Sequence, residues 1–236
     1  MARQTFEERR SRPMEIGTLT PAQERLISEI TAEMRLCAPH TGRAQLKREV
    51  LDALTAVPRE AFVLDRDRDL AYVNEALSIG HGQTISQPFI VALMTDLMDV
   101  RATDIVLEVG TGSGYQAAIA ARLVKHVYSV EVVPELADRA RRVLERLGVA
   151  NVSIKAGDGN LGWPEHGPYD AILVTAAAAA LPVALLAQLK PGGRLICPIG
   201  KPWGPQDLTV TEKQADGSTQ SRSVLPVRFV PLVDDR

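Results

Sequence analysis

Apolar positions recur along this chain with two periods, and the places where each period holds predict its elements. Residues 22–36 put Leu26, Ile30, Ala32 and Met34 near helical spacing, and residues 43–56 do the same with Leu46, Val50, Leu51 and Leu54 until Pro58 stops the run. Both stretches are expected as amphipathic helices that supply packing material. Residues 65–88 break into charge, Gly80, Gly82 and a polar run from Gln83 to Gln87, and are expected as a loop without an obvious packing role. Helical spacing returns over 88–98. Strand and helix then alternate, with strands at 104–109, 127–132, 152–156, 169–174 and 194–199 and helices at 115–124, 134–147 and 181–189, the last ended by residues 190–193. Two β-rich runs, 208–212 and 224–232, flank the turn signal Asp216-Gly217 and predict a hairpin or edge strands.

Such alternation implies a mostly parallel sheet covered by helices on both faces, with ligands bound beyond the carboxyl ends of the strands. Residues 171–189 are interrupted only by Thr175, Pro182 and Gln188 and approach the apolar density of a membrane span. Their alanine richness and Pro182 favour a buried strand followed by a helix instead. Residues 1–15 are polar, carry both charge signs and are expected to be disordered, and they lack the apolar stretch of a signal peptide. A cytoplasmic protein without membrane attachment is the expectation. Residues 16–236 are read as one domain: front helices and a polar segment over 16–98, a core over 99–200, and a β-rich tail over 201–236.

Composition removes several function classes. Lys plus Arg number 27 against 29 Asp plus Glu, and a net charge of -2 supplies no general attraction for a phosphate backbone. Aromatic residues are only 4% of the chain, too few for stacking bases, so nucleic acid is not expected as a partner. Cys37 and Cys197 form no CxxC pair, and His40, His81, His126 and His166 fall at no ligand spacing. Metal chemistry is not expected, and both cysteines read as reduced core or near-core residues.

The chemistry concentrates around Leu107-Glu108-Val109-Gly110-Thr111-Gly112-Ser113-Gly114-Tyr115, between a strand and a helix. Glycines there let the backbone turn sharply and let a ligand approach where a Cβ would collide. The spacing is neither that of dinucleotide folds nor that of phosphate loops, and no lysine follows. Glu108 suits a guest carrying positive charge, such as the amino group and sulfonium of S-adenosylmethionine. Glu131, about twenty residues after Gly110 at the end of the next strand, can accept from both ribose hydroxyls. Asp158, in the turn Gly157-Asp158-Gly159, can accept from the adenine amino group or serve simply as a turn residue. Asp170 and the run from Lys190 to Gly193 complete the arrangement, which together points to a methyltransferase.

The chain resembles the protein-L-isoaspartate (D-aspartate) O-methyltransferase family. The resemblance is carried by Val57-Pro58-Arg59-Glu60-Ala61-Phe62-Val63, by Ile79-Gly80-His81-Gly82-Gln83-Thr84-Ile85-Ser86-Gln87-Pro88-Phe89-Ile90-Val91-Ala92 and by the glycine motif from Glu108 to Gln116. Gly157-Asp158-Gly159, Gly162-Trp163-Pro164 and the tail from Leu225 to Leu232 extend it, over roughly residues 44 to 233. The glycine motif is common to many methyltransferases, whereas the segment from Gly82 to Pro88 is specific. The resemblance implies a Rossmann-like class I S-adenosylmethionine-dependent methyltransferase fold: α/β, with a doubly wound sheet, an N-terminal helical extension and a β-rich C-terminal tail.

It also implies methyl transfer from S-adenosylmethionine, leaving S-adenosylhomocysteine, to the α-carboxylate of L-isoaspartyl residues in damaged proteins and peptides. The ester then collapses to a succinimide that can reopen to aspartate. By the same resemblance Ser86 is the active-site serine and donates a hydrogen bond to the substrate carboxylate. Gln83, Thr84 and Ile85 border cofactor and substrate. Glu108, Gly110, Thr111, Gly112 and Gly114 form the cofactor turn, Glu131 holds the ribose, and Gly157 and Asp158 lie by the adenine. His81, Ser78 and residues 178–180 depart from the family pattern and put peptide preference in question. An aspartate methyltransferase acting on a dedicated peptide would share every motif, an RNA methyltransferase would share the cofactor motif, and a non-catalytic cofactor-binding module is the reading outside enzymes.

Overall fold

The computed structural model describes residues 19–233, so the expectation for residues 1–15 lies outside the described residues. Two helices open the described chain, α1 (Pro21–Thr41) and α2 (Arg48–Ala56). Helix α1 starts in a capping box, in which the Gln23 amide donates to the Thr20 hydroxyl while Gln23 Oε1 accepts from the Thr20 amide. Gly42 ends it in the left-handed conformation at φ 73°. Leu26, Ile30 and Met34 of α1 are buried at a spacing of four residues, whereas Ala32 faces solvent.

The segment expected as a loop is in fact structured. Leu77–Gly80 (β1) and Gln83–Ile85 (β2) pair antiparallel, with Leu77 opposite Ile85 and Gly80 opposite Gln83. His81 and Gly82, both at positive φ (52° and 69°), make the two-residue turn that matches strand twist. Helix α3 (Pro88–Leu97) follows and is buried along its whole length; its sequence is apolar except for Thr95, which donates to Val91 O, and Asp96, which pairs with Arg43.

The remaining strands are β3 (Ile105–Val109), β4 (His126–Glu131), β5 (Val152–Ala156), β6 (Tyr169–Val174), β7 (Leu189–Gly200), β8 (Gln206–Lys213) and β9 (Thr219–Val227). Between them lie α4 (Tyr115–Ala121), α5 (Pro134–Arg146) and α6 (Val183–Ala187). The sheet order is β5-β4-β3-β6-β7-β8-β9; the first five strands are parallel, and β8 and β9 complete an antiparallel edge. Residues 190–193 do not separate a helix from a strand as expected. Leu189 already pairs with Tyr169, the next four residues bulge, and Arg194 resumes opposite Ala171.

Alternation along β3 and β6 feeds two apolar layers. Val106, Ala171 and Leu173 face one that also takes in α1 to α5, and Leu107, Val109, Ile172 and Val174 face a smaller one under α6. Chain order reverses between β3 and β6, since one direction leads to β4 and β5 and the other to β7. A crevice must open there, beyond the carboxyl ends of the two strands. Among the described residues no helix is long and apolar enough to cross a membrane; the apolar stretch at 171–189 divides into β6, a turn, α6 and the start of β7.

Candidate active site

A cleft occupies this switch point. Its floor is the turn after β3. The Gly110 amide donates to Val130 O at 2.8 Å, and Thr175, just past β6, donates its hydroxyl to Gly110 O at 2.5 Å. A Cβ at Gly110 would stand 2.5 Å from that hydroxyl oxygen, and φ there is +94°, so only glycine fits. A Cβ at Gly112 would meet only Ile79, at 3.5 Å, which leaves the backbone open toward the cleft.

Glu131 closes the turn from the end of β4. Its Oε2 accepts from the Gly112 amide at 2.7 Å and its Oε1 from the Val133 amide at 3.0 Å. Each oxygen keeps a further acceptor site, and the carboxylate is on the cleft wall, so a vicinal diol could be held without breaking either bond. Thr111 stands beside it on the wall, its hydroxyl 2.5 Å from that of Ser129.

Glu108 is not on the wall. It shares the β3 face of Val106, is 1% exposed, and accepts a short hydrogen bond from the Ser129 hydroxyl. Burial pushes its carboxyl up to about 8, opposed by the Ser129 bond and reinforced by the negative charge of Glu131. A direct pairing with a cationic guest, the expectation from sequence, is therefore replaced by a place beneath the turn, linked to it through Ser129 and Thr111. Gly114 also lies below, where a Cβ would meet Ala140 of α5 at 3.2 Å. Gly159 lines the cleft, and Gly157 and Asp158 precede it in the turn after β5. Gly157 donates to Glu131 O at 2.9 Å, and Asp158 accepts from the Asn160 amide at 2.8 Å, capping the 3₁₀ turn Gly159–Leu161. Asp170 and Lys190 pair at 2.8 Å at the opposite end of β6, so they hold the sheet rather than the site.

The hairpin brings Gln83, Thr84, Ile85 and Ser86 to the wall facing the glycine turn. Behind them opens a second, larger groove, bounded by Glu33 and Cys37 of α1, Asn74 to Ala76, the start of α3, and residues 225–230 of the tail. Thr84, Ser86, Thr175 and Val230 line both spaces. Ser86 thus sits where the cleft meets the groove. His81 lies at the exposed hairpin tip, Ser78 is exposed on β1, and Ala178 is buried while Ala179 and Ala180 are exposed. Two contributions escaped the sequence reading. Thr175 carried a signal, as the polar interruption in an apolar run. The tail reaches the site through Ala177, which donates to Val230 O and accepts from the Leu232 amide, each at 2.8 Å.

The family model for protein-L-isoaspartate(D-aspartate) O-methyltransferase matches residues 35–236. The chain is 50% identical to protein-L-isoaspartate O-methyltransferase 2 of Syntrophobacter fumaroxidans over 89% of its length and 85% of that protein's. It is also 50% identical to protein-L-isoaspartate O-methyltransferase 1 of Cupriavidus necator, over 91% of its length and 83% of that protein's. A solved protein-L-isoaspartate O-methyltransferase superposes with a TM-score of 0.76 at 30% identity, across 88% of this chain and 66% of that one. A Plasmodium falciparum structure in complex with S-adenosyl-L-homocysteine shares the fold, with a TM-score of 0.74 at 24% identity over 89% of this chain and 98% of that one.

Proposed function

Because the chain belongs to the protein-L-isoaspartate(D-aspartate) O-methyltransferase family, an S-adenosylmethionine-dependent enzyme class, we propose that Ser86 presents the α-carboxylate of L-isoaspartyl residues in damaged proteins to a cofactor held over the glycine turn. One observation carries this reading: Ser86 lines both the cleft at the strand switch point and the groove behind it. A small cofactor in the first and a peptide in the second would meet at this residue.

The cleft suits the cofactor. Its glycine floor admits close backbone approach, and Glu131 offers acceptors for ribose hydroxyls. When bound, S-adenosylmethionine supplies a methyl group that passes to a carboxylate oxygen while the carbon–sulfur electron pair stays on sulfur. Gln83, Thr84, Ile85, Thr111 and Gly112 would border it, and Gly159 with the adjoining Asp158 would close the adenine side. An α-carboxylate titrates near pH 3.5 and is ionised at neutral pH, so the protein need not remove a proton. What it must supply is placement, and positioned intramolecular reactions gain about 7–11 kcal/mol over bimolecular ones. The Ser86 hydroxyl would donate to the carboxylate oxygen that does not react.

The groove is open and bounded by mixed groups, Glu33, Glu75 and Arg228 among them, which favours varied polypeptides over one dedicated peptide. The helical front end and the tail belong with the cofactor core in one unit, since Leu26, Val50, Val106 and Val224 share an apolar cluster. A cytoplasmic location is part of the same reading. The test offers labelled S-adenosylmethionine with two peptides that differ only in an isoaspartyl or an aspartyl residue. Base-labile label in the isoaspartyl peptide alone supports the proposal. Equal labelling points to the dedicated-peptide aspartate enzyme, and no labelling of either overturns the proposal.

A further inference from the structure

The motif from Val57 to Val63 lines neither the cleft nor the groove, yet it places the largest fully buried charge near the site. Arg59, in the 3₁₀ turn after α2, is 0% exposed. Its Nη2 donates to Ser86 O at 2.8 Å and to Glu75 O at 3.3 Å. These carbonyls flank the two strands of the β1–β2 hairpin, so one guanidinium joins the hairpin's ends. The Arg59 Cζ lies 4.9 Å from the centroid of the Tyr115 ring, and Tyr115 itself lines the cofactor cleft.

Such a residue is expensive as packing. Among the described residues no carboxylate pairs with it, and Nε and Nη1 make no hydrogen bond. Burial pushes its pKa down, with the Tyr115 side chain as the main opposing influence, although a guanidinium stays charged at any physiological pH. A buried ion can often be replaced by an apolar side chain of similar size without loss of stability. The use that distinguishes arginine here is its rigid planar guanidinium, which fixes the direction of both Nη2 hydrogens toward the two carbonyls.

We propose that Arg59 is a positioning residue for methyl transfer: it pins the backbone of Ser86 so that the serine hydroxyl stays at the junction of cleft and groove. The inference rests on the role given to Ser86 above and adds the residue that fixes it. Lysine could offer its one nitrogen to the same carbonyls, but a tetrahedral ammonium on a flexible stem does not fix the direction of its donors. Methionine fills the space without donating.

The test is a double-mutant cycle between Arg59→Lys or Arg59→Met and Ser86→Ala, read as kcat for an isoaspartyl peptide and as affinity for S-adenosylhomocysteine by calorimetry. Each Arg59 variant is expected to lower kcat by about tenfold or more while product affinity stays within about threefold. Combined with Ser86→Ala, either should add little, because the hydroxyl whose placement it disturbs is gone. Losses that multiply in the double variants, or product affinity falling in step with kcat, would overturn the assignment. If Arg59→Met does not fold, Arg59→Lys carries the cycle. Amide exchange over residues 83–87 reads the same claim without turnover. It should accelerate in Arg59→Lys while β3 and β4 stay protected, and unchanged exchange would overturn the proposal. Wild-type turnover of the isoaspartyl peptide is the control: its absence sinks the functional reading, whereas a normal wild type with multiplying losses sinks only the role of Arg59.

Discussion

Replacing Glu108 by glutamine keeps the shape of a fully buried side chain and removes its ionisation. In the folded chain burial pushes this carboxyl from 4.5 up to about 8. Below the lower value both folded and unfolded states carry the proton. Between the two only the folded state does, so stability falls as pH rises, by about 1.36 kcal/mol per pH unit. Across the whole window the ceiling is about 5 kcal/mol, from 4.5 to about 8 at that slope. The glutamine variant lacks this dependence. Its stability relative to wild type should therefore improve from pH 5 to pH 8, by roughly 3–5 °C of Tm per pH unit for a chain of this size. Chemical or thermal unfolding of both proteins at several pH values measures the difference. Parallel pH profiles would refute the reasoning. The same variant tests the place of Glu108 beneath the turn: affinity for S-adenosylhomocysteine should change less than about threefold, whereas loss of a direct charge-assisted contact would cost about 1.5–3 kcal/mol.

Ser86→Ala should lower turnover of an isoaspartyl peptide by about a hundredfold while leaving cofactor affinity nearly intact, since the role proposed for the hydroxyl is placement at the reacting centre; equal kcat values would remove Ser86 from the mechanism. Glu131→Ala should weaken S-adenosylhomocysteine binding by about 10- to 100-fold in calorimetry, because it deletes two acceptors and leaves the Gly112 and Val133 amides unpaired. Gly110→Ala should destabilise the fold by about 2 kcal/mol or more, given the 2.5 Å contact with Thr175 Oγ1 and the positive φ. An unchanged melting temperature would contradict the close approach.

The glycine turn was legible because its signals are local. Glycine spacing after an apolar strand, and an acid at the end of the next, depend on neighbours in sequence. The position of Glu108 was legible in principle as well, since alternation along β3 puts it on the face of Val106, under the helices. The β1–β2 hairpin was hidden because its turn is His81-Gly82, and histidine at positive φ is a weak signal beside asparagine or glycine. Residues 190–193 read as a terminator, yet Leu189 is held by Tyr169 before the bulge and Arg194 by Ala171 after it, a register that only the assembled sheet imposes. The groove was least legible of all. Its walls come from α1, the hairpin and the tail, which meet only after the sheet has formed. The family resemblance singled out Ser86, but only the fold placed it between two spaces.

The most direct test follows the fate of the substrate. An isoaspartyl peptide incubated with the protein and S-adenosylmethionine, resolved by chromatography over time, should pass through a methyl ester and a succinimide and accumulate as the normal aspartyl peptide. An isoaspartyl peptide that remains unchanged, or a methyl group that stays on a site stable to base, would contradict repair at Ser86.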